Sequence, residues 1–177
     1  MKRTKGLALV FLACAASVLA LEGTAAGVKW MIPPAWKLEA GRPMRVATYS
    51  IPAMASAEAG ECGVFFFGGG QGGGVEENIN RWVKQFEGGA APKRSEKTVG
   101  GFSVHLVDVA GTYLAPGGPM MQSQGKKPGY RLLGAIVEAP HGMVFFKCTG
   151  PASTLAKAQA DFDRLIGSLS KSGATAL

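Results

Sequence analysis

The chain has 177 residues, 47% hydrophobic and 18% charged, with 26 glycines, and its 19 basic against 12 acidic residues give a formal charge of +7. That length suits one ordinary domain, and the apolar content separates it from chains that stay disordered because they are polar and highly charged. Collagen and solenoids are excluded by the lack of a Gly-X-Y period or a longer repeat, and two histidines with three cysteines leave little material for a metal site or a nucleophilic triad.

Lys2, Arg3 and Lys5 precede an apolar run, Leu7 to Leu21, that only Ser17 interrupts, and Glu22 to Ala26 is small and polar. These are the three regions of a secretory signal peptide. The run is 15 residues long, short of the roughly 18 to 20 that a spanning helix needs. Cleavage after Ala26 fits its spacing, cleavage after Ala20 is the alternative, and Cys14 behind Phe11-Leu12-Ala13 offers a lipid anchor as a third. Removing residues 1–26 takes 19 basic residues to 16 and 12 acidic to 11, so the charge falls from +7 to +5. The remaining cations, Arg42, Arg45, Lys93, Arg94, Lys97, Lys126 and Lys127 among them, are scattered near turns without interleaved aromatics. A nucleic-acid surface needs a continuous basic stripe, so the expectation is an exported protein, periplasmic or secreted, that binds no nucleic acid.

Along the mature chain, Val28 to Ile32 reads as a strand stopped by Pro33-Pro34, and Arg45 to Ile51 as a second closed by Pro52. Met54 to Gly60 is a small-residue turn. Cys62 to Phe67 is apolar on both faces, as a strand covered on both sides would be, and it is expected to be central. After the glycine run Gly68 to Gly74, residues Val75, Ile79, Trp82, Val83 and Phe86 repeat on one helical stripe.

Two hairpins are expected next. Lys97 to Val99 turns at Gly100-Gly101 into a strand from Phe102 that runs on through Leu114, and Tyr130 to Glu138 pairs with Met143 to Thr149 across Pro140-His141-Gly142. Between them Ala115 to Gly129 reads as a 15-residue loop rich in glycine and proline. Leu155, Ala158, Phe162, Leu165, Ile166 and Leu169 place a helix over Pro151 to Leu169, and residues 171–177 read as a tail.

The opening strand into Pro33-Pro34-Ala35-Trp36, the run from Val144 to Pro151, and the closing Phe162, Leu165, Ile166, Ser168 and Leu169 resemble the PsbP-like superfamily. The resemblance covers nearly all of the mature chain. It implies an α+β fold in which an antiparallel sheet is sandwiched by helices, an α/β/α sandwich of a single domain over residues 27–170. It also implies a role in binding other macromolecules, since relatives include photosystem accessory subunits, a nuclear-transport GTPase partner and uncharacterised secreted bacterial proteins.

Three constellations could carry chemistry. Strand, glycine run and helix imitate a phosphate cradle, but Val75 and Glu76 stand where a Walker loop has Lys and Ser or Thr, and Glu76 with Glu77 would repel an anion. His105 and His141 have no sequence neighbour that orients them, and Asp161 and Asp163 are two apart on a helix and so do not face each other. No catalytic, cofactor or metal residue is assigned. The methionines Met44, Met54, Met120 and Met121 suit adaptable apolar contact better than Cu(I), because spaced methionine repeats are missing.

The sequence therefore points to a non-enzymatic binding or accessory module with an envelope protein partner. The alternatives are a carrier of a small apolar ligand or soft metal, and then an enzyme without a recognisable motif. Met120, Met121, Lys126 and Lys127 in the long loop are the candidate partner contacts. Cys62 and Cys148 are a candidate disulfide closing about 86 residues and stabilising by about 4 kcal/mol; the alternative is that each fills an apolar face as a small hydrophobe, since both alternate with Val and Phe.

Overall fold

Two long hairpins make up much of the sheet in the computed structural model, which describes residues 21–55, 57–115 and 125–173. In the first, β7 (Lys93–Val99) meets β8 (Phe102–Leu114), with Val99 opposite Phe102. The turn needs positive φ at both central positions, and Gly100 and Gly101 supply +60° and +85°. In the second, β9 (Lys126–Ala139) pairs with β10 (Gly142–Pro151) over ten residues, Gly142 opposite Ala139.

The remaining strands extend this sheet on both sides. They are β3 (Lys37–Leu38), β4 (Ala47–Ile51), β5 (Gly60–Phe66) and β6 (Phe86–Glu87), and the sheet runs β3-β4-β5-β10-β9-β8-β6, with β7 also paired to β8. Every pairing is antiparallel. The middle place belongs to β10 rather than to the Cys62 strand, which lies beside it. A second, small sheet runs β1-β2-β11, where β1 is Glu22–Ala25, β2 is Val28–Met31 and β11 is Ser170–Lys171.

Burial follows the pleat. On one face Val64, Cys62, Val144, Phe146, Cys148, Leu133, Ala135, Val137 and Val104 share a core with Leu155, Phe162, Leu165 and Ile166 of α2 (Ala152–Gly167) and with Val28 and Trp30 of β2. The alternate residues Leu132, Ile136, Phe145, Val107 and Val109 pack instead with Ile79 and Trp82 of α1 (Val75–Val83). Trp82 comes this close to the sheet because β9 has glycine at the contact: a Cβ at Gly134 would stand 2.6 Å from the indole ring.

Several boundaries differ from the sequence reading. The stripe ending in Phe86 belongs to two elements, because the Gln85 carbonyl accepts from the Leu114 amide at 2.7 Å and draws the chain into β6, where the Phe86 ring meets Tyr113 at 5.1 Å between centroids. Residues 126–129, expected in a loop, belong to β9, and the connection from β8 spans only 115–125. Ser170–Lys171, expected at the start of a tail, pairs with Val28 and Lys29. Most consequentially, Glu22–Ala25, expected at the polar end of a leader, is a strand whose partner is Val28–Met31. Ala26 and Gly27, with φ +52° and +84°, are the two turn residues between them.

Candidate functional site

Two hollows stand out. The first lies between α1 and the sheet, a cavity of about 170 Å³ lined by Phe65, Phe67, Trp82 and Phe145 with Asn78, Arg81, Gln85 and Lys147. Its aromatic wall is continuous: Phe65 stacks on Phe67 at 6.1 Å, and Phe145 meets Phe67 at 5.7 Å and the edge of Trp82 at 6.4 Å. Asn78 is buried, and its amide donates to the Gly72 and Gly74 carbonyls at 2.8 Å each. That pins the glycine run to the helix it precedes, and its carbonyl oxygen accepts from Arg81.

Lys147 is the unusual member. It interrupts an apolar strand and donates to Gln85 Oε1 at 2.6 Å, with its ammonium 5.8 Å from the Tyr113 ring centroid. Burial, together with the Arg81 and Arg45 cations, pushes its pKa down to about 8, and only Glu61 acts in the other direction. Glu61 itself is claimed by Arg42 at 2.7 Å and Arg45 at 2.6 Å. A lysine inside a run of valine and phenylalanine was a signal available in the sequence; Arg81 and Arg45, far from it along the chain, were not.

The second hollow is a groove of about 660 Å³ at the end of β2, lined by Leu21, Met31, Ile32, Pro33, Pro34 and Trp36 on one side and Arg164, Gly167 and Ser168 on the other. Leu21 and Met31 are 66% and 48% exposed. The Met31 amide donates to Ser168 Oγ at 2.9 Å, which joins the two sides, and the buried indole N–H of Trp36 has no hydrogen-bond acceptor among the described residues.

The sequence candidates fall elsewhere. Met120 and Met121 lie outside the described residues. Lys126 and Lys127 stand on β9 and are engaged within the molecule: Lys126 meets Glu87 at 2.6 Å, while Lys127 donates to Tyr130 at 3.3 Å and Glu58 at 3.4 Å. Glu58 is held below the usual carboxylate range, chiefly by its hydrogen bond from Tyr130. His105, with no orienting neighbour in sequence, has two in space: Nε2 lies 2.7 Å from Glu138 and Nδ1 3.7 Å from Glu96. Arg131 grips Asp108 with two hydrogen bonds, 2.8 and 2.6 Å, and reaches Gln159 on α2 at 2.6 Å, which locks helix to sheet. Among the described residues no group of three His, Cys, Asp or Glu could hold a metal ion.

Cys62 and Cys148 stand directly opposite each other on β5 and β10, both fully buried, and their sulfurs are not bonded to one another. Burial pushes the Cys148 thiol well up, with a hydrogen bond to Cys62 adding to it. Thiolate reagents attack the ionised form, so the native protein should react with no equivalent of a thiol reagent at pH 8. After unfolding without reductant two thiols should react, and none would establish the bridge.

No family model matches the chain, and no curated protein matches it in sequence. Solved structures do. A protein of unknown function from Pseudomonas aeruginosa is similar over 84% of this chain and 94% of its own, at 14% identity and a TM-score of 0.47. Cyanobacterial PsbP from Synechocystis sp. PCC 6803 is similar over 90% of this chain and 98% of its own, at 10% identity and a TM-score of 0.51. With antiparallel strands and two helices among its described residues, and aligned over 90% of its length with that structure, the chain has a PsbP-like fold.

Proposed function

We propose that the chain is an exported, non-enzymatic binding module that docks an extended apolar segment of another envelope protein. The observation that carries this reading is the groove at Leu21, Met31 and Trp36, where two large apolar side chains are left open to water beside β1, the terminal strand of its sheet. An extended segment can pair along such an edge and lay alternate side chains in the adjoining groove. The scaffold on this reading is the α/β/α sandwich expected from the sequence, and the two separate cores, one holding α2 and the other α1, support it.

Export rests on the tripartite leader, and β1 bears on where the leader ends. Cleavage after Ala26 would cut the hairpin turn and discard a paired strand, whereas cleavage after Ala20 leaves Leu21 and β1 in place. The site after Ala20 is therefore the one proposed, and no helix among the described residues is long and apolar enough to cross a membrane.

A photo-reactive residue at Met31, with a control at exposed Lys84 just past the end of α1, tests the docking. The reading expects one envelope protein cross-linked through an apolar segment at position 31 and not at 84. Cross-linking to a second copy, to residues 1–20 of the chain itself, or equally at both positions would overturn it.

A further inference from the structure

We propose that the cavity between α1 and the sheet binds a small organic anion built on a single aromatic ring. This is independent of the groove, which shares no residue with it. The volume, about 170 Å³, is close to the roughly 150 Å³ at which an apolar cavity accommodates benzene. Its wall offers four aromatic rings in stacked, tilted and edge contacts, an array that a further ring can extend.

The charge of the site decides which ring-bearing molecules it favours. Lys147 and Arg81 both line it, and no carboxylate does. Their hydrogen-bond partners are neutral amides, Gln85 for Lys147 and Asn78 for Arg81. Neither forms an ion pair among the described residues, while the nearby Glu61 is already shared between Arg42 and Arg45. A part-buried ammonium without a counterion is costly, and an anion placed between Lys147 and Arg81 offsets that cost with charge-assisted hydrogen bonds. A neutral ring would fill the aromatic half and leave the cations as they are.

The groups facing Lys147 are Arg81 from α1, Arg45 ahead of β4, Glu61 from β5 and Tyr113 from β8. Burial holds Tyr113 above its ordinary value and Lys147 below its own, so the pH dependence expected around 8 is that of Lys147.

Benzoate is the probe, with benzyl alcohol as its neutral counterpart, each titrated into the full mature protein and followed by tryptophan fluorescence and by NMR shifts. Benzoate should bind saturably at pH 7 and perturb Trp82, benzyl alcohol should bind about tenfold more weakly or worse, and benzoate affinity should fall as pH rises through 8. Lys147→Met and Arg81→Gln should each weaken benzoate about tenfold, whereas Lys147→Arg should keep the affinity and lose the pH dependence. Absence of saturable benzoate binding, equal affinity for the alcohol, or unchanged affinity in a folded Lys147→Met variant would overturn the assignment.

Discussion

Lys147→Met is expected to make the protein more stable, by about 1 to 2 kcal/mol at pH 7 after discounting for partial exposure, a rise in Tm of about 4 °C. In the folded protein burial and the neighbouring arginines lower the pKa of this lysine to about 8, against an ordinary value of 10.5. Below pH 8 the ammonium is charged in both states, and the folded state carries the full cost of holding it between Phe65, Trp82 and Phe145. Between pH 8 and about 10 the unfolded chain binds more protons than the folded one, so stability rises with pH across that window. Methionine has similar length, keeps the apolar stem and removes the charge. Denaturant titrations at pH 7 and pH 9.5 measure both effects: the variant should be the more stable at pH 7, and the difference should shrink at 9.5. A less stable variant at pH 7 would mean that the Gln85 hydrogen bond outweighs the burial cost. A residue that weakens its own fold while lining a cavity fits the binding role proposed for it, since stability is commonly surrendered at such positions.

A chain beginning at Gly27 should be less stable than one beginning at Leu21 by about 3 to 5 kcal/mol, roughly 10 °C in Tm. The strand that would be lost pairs at four positions, from Glu22 opposite Met31 to Ala25 opposite Val28. It also covers Trp30, which is 1% exposed and lies so close over Gly23 that a Cβ there would stand 2.3 Å from the indole. Trp30 in turn donates to the Tyr49 hydroxyl at 3.0 Å and meets Phe146 edge-on at 5.1 Å, so uncovering it loosens the first core. Ala26 holds φ +52°, a conformation that favours glycine, and it is kept only because the hairpin on both sides demands it. Thermal unfolding of the two purified forms measures the difference, and equal melting temperatures would show that β1 adds nothing to the domain. N-terminal sequencing of the protein recovered from cells then tells which form the cell makes.

The long elements were readable because their patterns are local. β8, β9 and β10 carry apolar residues on both faces, the turn glycines Gly100, Gly101 and Gly142 stand where tight reversals need them, and α2 shows an unbroken stripe from Leu155 to Ile166. The short strands were not. Glu22-Gly23-Thr24-Ala25 has the composition of a leader's end, and what makes it a strand is Trp30 folding back over Gly23. β6 looked helical because Phe86 falls on the stripe of α1, and its pairing depends on Leu114, distant in sequence. Both hollows are assembled across the chain, Met31 against Ser168 and Lys147 against Gln85, so no local spacing could announce them. His105 gains its two carboxylate neighbours only when β7, β8 and β9 are aligned.

The reading of the protein as a docking module stands on the groove at Met31, and the affinity of a partner segment for that groove tests it most directly. The segment recovered by cross-linking at position 31, made as a peptide, is titrated against the mature protein and its Met31→Glu variant. Met31 is already half exposed, so the substitution should leave folding intact while placing a charge among Leu21, Ile32 and Trp36. The account predicts saturable binding to the parent protein and at least a tenfold loss, about 1.4 kcal/mol, in the variant. Equal affinity for both, with the variant folded, would contradict it.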